Sequence, residues 1–274
     1  MPSLLIVVPT LDSHLLLPQL LESLQQQSWT SWRVQFIDGP SGFEHRQWLE
    51  RCCLVEPRCH WVQQVSNHPG IFGAMSQGFT MAQPDDWVLF WGSDDWAAAP
   101  DVLSQLITSV TAQDPLQSSP DLVVCRGRYV NSQGRLGRRT AFGMLPDSSR
   151  ADRAPSHDLN AGGYRRRLFL GATPPHQATL FGPGAIRRLQ SYHEGLRLTA
   201  DLDYFLRLSR MESLRIRLFD LELVHMADAG VSGQQTRRRL QEVHFCYRSA
   251  FGWSWWVPFL TRYARRLMTR FVHS

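Results

Sequence analysis

The chain has 274 residues, 43% of them apolar and 19% charged, with a formal net charge of +5. That is enough chain to bury a core in one large domain or two small ones, and the balance excludes a disordered chain. Arginine supplies all 29 of the basic residues counted as Lys plus Arg, a bias read here as genome composition, since no nucleic-acid motif accompanies it.

The five cysteines are Cys52, Cys53, Cys59, Cys125 and Cys246. Cys52, Cys53, Cys59 and His60 cluster without the paired Cys-x-x-Cys spacing of a zinc site, so they are read as structural. The start, MPSLLIVVPT, has no cationic region, and no later stretch reaches 18 consecutive apolar residues. A reducing cytoplasmic setting is therefore expected, either free or peripheral on the inner face of the cytoplasmic membrane.

In chain order, Ser3 to Val8 predicts a buried strand ending at Pro9-Thr10. His14 to Gln27 predicts an amphipathic helix, with Leu16, Leu17, Leu20, Leu21 and Leu24 at helical spacing and Asp12 or Ser13 as its cap. Val34 to Ile37 predicts a strand that ends in Asp38-Gly39-Pro40-Ser41, Phe43 to Val55 a helix, and Trp61 to Val65 a third strand. Asn67 to Gln83 reads as a glycine-bearing loop leading into a short helix.

The stretch Asp85 to Trp96 then organises the rest. Trp87 to Trp91 is an unbroken apolar run, the mark of a central strand buried on both faces. Asp94-Asp95 follow just past its C-terminal end, where ligands of open α/β sheets gather. Two readings stand there: a turn with a helix cap, or a hard-oxygen site for Mg²⁺ or Mn²⁺ bridging a carboxylate and substrate phosphates. Pro100 to Ala112 predicts a helix, so residues 1–112 alternate strand and helix as a mostly parallel, Rossmann-like sheet does.

In the second half, Leu122 to Val130 predicts a strand and Asn131 to Gly134 the turn of a hairpin. Pro146 to Gly163 is polar and reads as a mobile loop over the site. Pro183 to Tyr192 and Ala200 to Arg210 predict helices, Ile216 to His225 a late strand, Gly230 to Gly233 a turn, and Thr236 to Ala250 a basic helix. The division expected is 1–112 and 113–245 as intergrown halves of one catalytic domain, with 246–274 as an amphipathic tail. That tail mixes Trp253, Trp255, Trp256, Phe259 and Phe271 with Arg262, Arg265, Arg266 and Arg270. From Pro258 on, Leu260, Tyr263, Leu267 and Phe271 fall on one helical stripe. Two readings stay open for it: docking on an anionic membrane surface, or packing on the catalytic domain or a second subunit.

Several motifs, in this order and spacing, resemble a family 2 glycosyltransferase of the GT-A fold. They are VVPT at Val7 to Thr10, IDGPS at Ile37 to Ser41, GIFGAMSQG at Gly70 to Gly78 and the strand ending in Ser93-Asp94-Asp95. HQAT at His176 to Thr179 and ADLDYFLRL at Ala200 to Leu208 complete the set. The GIFGAM region most resembles the branch that builds bacterial exopolysaccharide or O-antigen.

The resemblance implies inverting transfer of a sugar from a nucleotide-diphosphate sugar, a UDP-sugar foremost, to a hydroxyl of a lipid-linked or growing glycan. It implies that Pro9, Thr10 and Asp38 shape the nucleoside pocket, with Asn67 also on the donor. Asp95 is the candidate metal ligand for Mn²⁺ or Mg²⁺, and Asp94 contacts the donor ribose or the metal's waters. Asp201, in the first turn of its helix, is the candidate general base, with Asp203 the rival turned to the far side. His176 matches a family histidine near the acceptor or diphosphate, and reads equally as a structural hydrogen-bonder. His225 is a second metal candidate, against an ordinary half-buried histidine.

Three departures from the family pattern are His68 in place of an acidic residue, Phe72-Gly73 in place of Tyr-Asp, and Ser76-Gln77 in place of Asn-Lys. They leave room for one alternative, a non-catalytic nucleotide-sugar-binding scaffold. A sugar-nucleotide pyrophosphorylase is disfavoured because Pro9 to Leu15 has neither glycine nor arginine.

Overall fold

The computed structural model describes residues 3–65, 67–111, 119–140, 142, 156–228 and 235–271, the side chains of 266–271 excepted. The first half contains β1 (Ser3–Thr10), α1 (Leu17–Gln25), β2 (Trp32–Asp38), α2 (Phe43–Val55), β3 (Cys59–Gln63), α3 (Ile71–Thr80), β4 (Asp86–Phe90), β5 (Asp95–Ala97) and α4 (Val102–Thr111). The second contains β6 (Leu122–Val130), β7 (Leu136–Arg139), β8 (Ser156–Asn160), α5 (Ala161–Phe169), β9 (Thr179–Phe181), α6 (Pro183–Arg188), α7 (Ala200–Leu208), β10 (Arg215–Ala227), α8 (Thr236–Phe251) and α9 (Trp256–Phe271).

These strands form one sheet in the order β3-β2-β1-β4-β9-β6-β10-β5, with β7 beside β6 and β8 beside β10. β1 is parallel to β2 and β4, β2 to β3, and β6 to β10. The short β9 runs antiparallel between β4 and β6. It follows that β1, β2, β3, β4, β6 and β10 all point one way and present their C-terminal ends along one edge. Because β5 is antiparallel to β10, its first residue, Asp95, lies on that same edge. This is the edge where α/β sheets hold ligands.

Side-chain alternation splits the core into two faces. Leu4, Ile6 and Val8 of β1 pack with α1 and α4, whereas Leu5 and Val7 pack with α3, α5, α7 and α8. All of β4 is buried, as expected of a strand covered on both faces. α1 contributes Leu17, Leu20, Leu21 and Leu24 at i, i+3, i+4 and i+7, each burial being worth about 2 kcal/mol. It starts at Leu17, three residues later than the leucine pattern predicts. Residues 13–16 instead make a turn closed by Leu16 N–H donating to Ser13 O at 2.9 Å, and Pro18 occupies the first helical turn.

Other differences have similar local causes. Ser156–Asn160, expected as loop, is β8, pairing antiparallel with Arg215 to Phe219. Its side chains are mostly exposed and polar, so no apolar period betrays it. Asn160 then caps α5, its Oδ1 accepting from Gly163 N at 2.8 Å. The rest of that expected loop, 146–155, and the expected turn at 230–233 lie outside the described residues. The α6 helix stops at Arg188, leaving Tyr192 in the loop that follows. Residue 246, where the tail is expected to begin, sits inside α8, and Cys246, Tyr247 and Ala250 are buried in the core. Among the described residues no helix is long and apolar enough to cross a membrane.

Candidate active site

The C-terminal ends of β1 and β2 are register partners, Pro9 with Ile37 and Thr10 with Asp38. Asp38 is completely buried. Its Oδ1 accepts from Thr10 Oγ1 at 2.9 Å and from Ser41 Oγ at 2.6 Å, and His45 Nε2 stands 3.0 Å away. Burial, more than any charge nearby, lowers the pKa of His45, with Asp38 pulling the other way. The other carboxylate oxygen, Oδ2, is buried with no hydrogen-bond partner among the described residues. Such an orphan acceptor is costly unless a ligand supplies the donor.

The loop after β1 is tied to this cluster and to the acidic pair. Asp12 N–H donates to Ser41 Oγ at 3.0 Å, and Asp12 Oδ1 accepts from Gly42 N at 2.7 Å. Ser13 Oγ and Ser93 Oγ are 2.8 Å apart, and Ser93 Oγ donates to Pro9 O at 3.3 Å. Thus the ends of β1, β2 and β4 form one hydrogen-bonded rim.

Asp95 is only 3% exposed, and its Oδ2 accepts from Gly92 N at 2.5 Å. Burial pushes its carboxyl well above the usual carboxylate range, the Gly92 N–H opposes that, and the neighbouring Asp94 adds to the rise. A side chain at Gly92 would displace the acidic pair: an added Cβ would lie 2.7 Å from Asp94 Oδ1 and 3.2 Å from Asp95 Oδ2. A desolvated carboxylate beside another carboxylate is the donor set a hard divalent cation compensates. The described residues contain no group of three or more His, Cys, Asp or Glu that converge as ligands. Two carboxylates alone would fit a hard cation of the Mg²⁺ or Mn²⁺ kind only if substrate oxygens and water supplied its other ligands.

The structure does not bring His225 to that pair. In the β5–β10 ladder Met226 is opposite Asp95 and His225 opposite Trp96, and successive residues of a strand point to opposite faces. His225 accordingly packs edge-on against Trp96 at 5.8 Å and places Nε2 3.0 Å from Glu222 Oε1. Glu222 is also bound by Arg128 and Arg139.

In the second half, Asp201 occupies the first turn of α7, half-buried, and acts electrostatically on Tyr192. Asp203, by contrast, is buried and takes the guanidinium of Arg207 at 2.7 Å. His176 is 7% exposed, with Nε2 2.7 Å from Tyr192 Oη and rings of Phe90, Phe181 and Phe205 around it. Burial drives its pKa down to about 3, which favours the neutral imidazole within this aromatic surround. Asn67 is exposed in the turn between β3 and α3, beside His68, whose Nδ1 lies 3.3 Å from Glu194 Oε1. That contact joins the loop before α3 to the loop before α7.

Reading the sequence singles out Asp38, Asp94, Asp95 and Asp201 but misses the groups that hold them. Ser41 donates to Asp38 with His45 close beside it, Ser93 ties the rim, and Tyr192 bonds His176. Ser41 and Ser93 lie within quoted motifs; Tyr192 and His45 carry no local signal and emerge only when distant elements pack.

Residues 5–169 match the family model described as glycosyl transferase family 2. The PGL/p-HBAD biosynthesis glycosyltransferases of Mycobacterium bovis and Mycobacterium tuberculosis are 23% identical over 208 residues, 75% of this chain and 69% of theirs. The crystal structure of S. aureus TarS 1-349 superposes with a TM-score of 0.64 at 16% identity, covering 95% of this chain and 71% of that one. The mannosyltransferase PcManGT from Pyrobaculum calidifontis, in complex with GDP-Man and Mn²⁺, gives a TM-score of 0.58 at 15% identity, covering 91% and 64%. At these identities the solved structures speak for the fold alone, which is GT-A. The family match spans more than half of the chain, so the chain belongs to glycosyl transferase family 2 and is a glycosyltransferase.

Proposed function

We propose that this family 2 glycosyltransferase moves a sugar from a UDP-sugar to a hydroxyl of a lipid-linked or growing glycan, with inversion and with the help of Mn²⁺ or Mg²⁺. The observation that carries the reading is Asp38. Its Oδ1 is already engaged by Thr10 and Ser41, while Oδ2 is buried and without a partner. One unpartnered carboxylate oxygen suits a base that offers one ring N–H, as uracil does at N3. Guanine offers an N–H and an amino group side by side and would ask for both oxygens. Structures of like fold hold either kind of donor, UDP-GlcNAc in TarS 1-349 and GDP-Man in PcManGT, so the choice rests on Asp38.

Asp95 would hold the cation, with Asp94 beside it on the ribose or on bound water. The cation, when bound, offsets charge developing on the departing nucleoside diphosphate. Asp201 takes the acceptor hydroxyl proton as the new bond to the anomeric carbon forms and the bond to the diphosphate breaks. Its place in the first turn of α7 favours the anion that a base requires. Asp203 cannot share this task while Arg207 holds it. His176 and Tyr192 serve as positioning groups beneath Asp201, and the scaffold alternative recedes because the carboxylates that transfer requires are all retained.

The test is thermal shift and donor turnover with UDP-, GDP- and dTDP-sugars, with and without Mn²⁺. A shift that requires both a UDP-sugar and Mn²⁺, and that Asp38→Asn removes, is the expected outcome. A GDP-sugar that binds while UDP-sugars do not would overturn the donor assignment. Asp201→Asn should lower kcat by about 10²–10⁴ and leave the donor-induced shift in place; wild-type turnover in that variant would remove Asp201 as the base.

A further inference from the structure

The chain's last two helices divide their surface sharply. On the inner side, Trp255 and Phe259 pack on the core and Pro258 is buried. Arg262 donates to Thr173 Oγ1. Gly171, at φ +77°, admits the helix backbone: a Cβ there would lie 2.4 Å from Arg262 N. So α9 is anchored on the catalytic domain. Its outer side is another matter. Trp253 is 85% exposed, Trp256 49% and Leu260 59%. Trp256 and Leu260 are one turn apart on α9 and share a face, and Trp253 stands exposed in the 3₁₀ turn (Gly252–Trp255) that leads into that helix. The stripe that periodicity suggests is not the one that faces out: Tyr263 is half-buried with its ring 5.1 Å from Phe259.

An apolar face of this kind, roughly a few hundred Å² of Trp and Leu, marks an interaction surface. Charge decides which partner it suits. From Val243 to Ser274 the sequence contains no aspartate or glutamate, while Arg248, Arg262, Arg265, Arg266 and Arg270 all carry positive charge. Arg248 and Arg265 are exposed on α8 and α9 respectively. A second copy would bring the same positive charge against it and repel. A surface of negative charge over an apolar layer attracts both features at once. Trp belongs in the headgroup region, and each exposed Arg gains from anionic lipid.

We propose that the α8–α9 corner docks on an anionic phospholipid bilayer, with Trp253, Trp256 and Leu260 entering the headgroup layer and the exposed Arg248 and Arg265 meeting lipid phosphates. Docking of this kind holds the catalytic domain in the plane where a lipid-linked acceptor would be met, and it stands whichever sugar is donated. The experiment is co-sedimentation of the whole chain with vesicles of phosphatidylcholine alone and of phosphatidylcholine with 30% phosphatidylglycerol. Wild type should partition at least tenfold more strongly onto the anionic vesicles, and high salt should weaken that preference. The variant Trp253→Ser/Trp256→Ser should lose about tenfold while its thermal melt stays that of wild type, since both rings lie outside the core. Arg248→Gln/Arg265→Gln should flatten the difference between the two vesicles without altering the melt. Equal partitioning of wild type onto both vesicles would overturn the proposal, as would undiminished binding by the double-Trp variant. So would a wild-type dimer that ignores vesicles and falls apart in the double-Trp variant, because that outcome gives the face to a second copy.

Discussion

The protonation of His176 offers the sharpest test of the packing behind the site. Its imidazole is buried among aromatic rings, bonded to Tyr192, with its pKa pressed down to about 3 by burial. The unfolded chain takes up a proton at this histidine near pH 6.5, but the folded chain does not until far lower pH. Stability from this group is therefore complete above the unfolded value and is lost as pH falls through 6.5 toward 3. Going from pH 7 to pH 5 should cost about 2 kcal/mol through this side chain alone. His176→Gln keeps a polar partner for Tyr192 and removes the titration, at a pH-independent cost of about 1 kcal/mol. Other groups titrate too. His45 is also lowered by burial, while the raised carboxyl of Asp95 contributes with opposite sign. Both chains share those groups, so the difference between them isolates His176. Urea unfolding followed by tryptophan fluorescence at both pH values gives the two free energies. Wild type should lose about 2 kcal/mol more than the variant over that interval. If the two chains lose the same amount, the imidazole is not buried in its neutral form, and its assignment as a core positioning group fails.

Two further outcomes bear on the acidic pair. Gly92→Ala should cost about 1–3 kcal/mol in unfolding free energy, because the new Cβ meets both carboxylates. Calorimetry should show weaker Mn²⁺-dependent donor binding in the same variant, and native affinity there would detach the rim from the donor. Asp95→Asn should raise the melting temperature without metal, since it removes a carboxyl that burial disfavours as an anion, and should abolish the Mn²⁺-dependent shift. A lower melting temperature in Asp95→Asn would mean the charge is compensated by the protein.

Much of this protein is determined by short-range pattern. The apolar run Trp87 to Trp91 admits hardly anything but a strand buried on both faces, and the Leu17, Leu20, Leu21, Leu24 spacing admits little but a helix packed on one. Both follow from the period of the backbone, which the chain carries locally. The ends of such strands hold the carboxylates Asp38, Asp94 and Asp95, so even the position of the candidate site could be read before any packing was known. Tertiary structure decided the rest. β8 is polar and recognisable only by its pairing with β10, because a strand at the edge of a sheet needs no apolar period. His225 and Asp95 are near neighbours across a ladder, yet strand alternation sends their side chains to opposite faces. His176 became a core residue when Tyr192, Phe90 and Phe205 closed around it. In the last helix both faces are aromatic, and periodicity cannot rank one above the other. What chose Trp253, Trp256 and Leu260 as the outward face was the seat that Gly171 and Thr173 offer to Arg262. Local pattern sets what an element is; which side of it meets water, core or ligand depends on residues a hundred positions away.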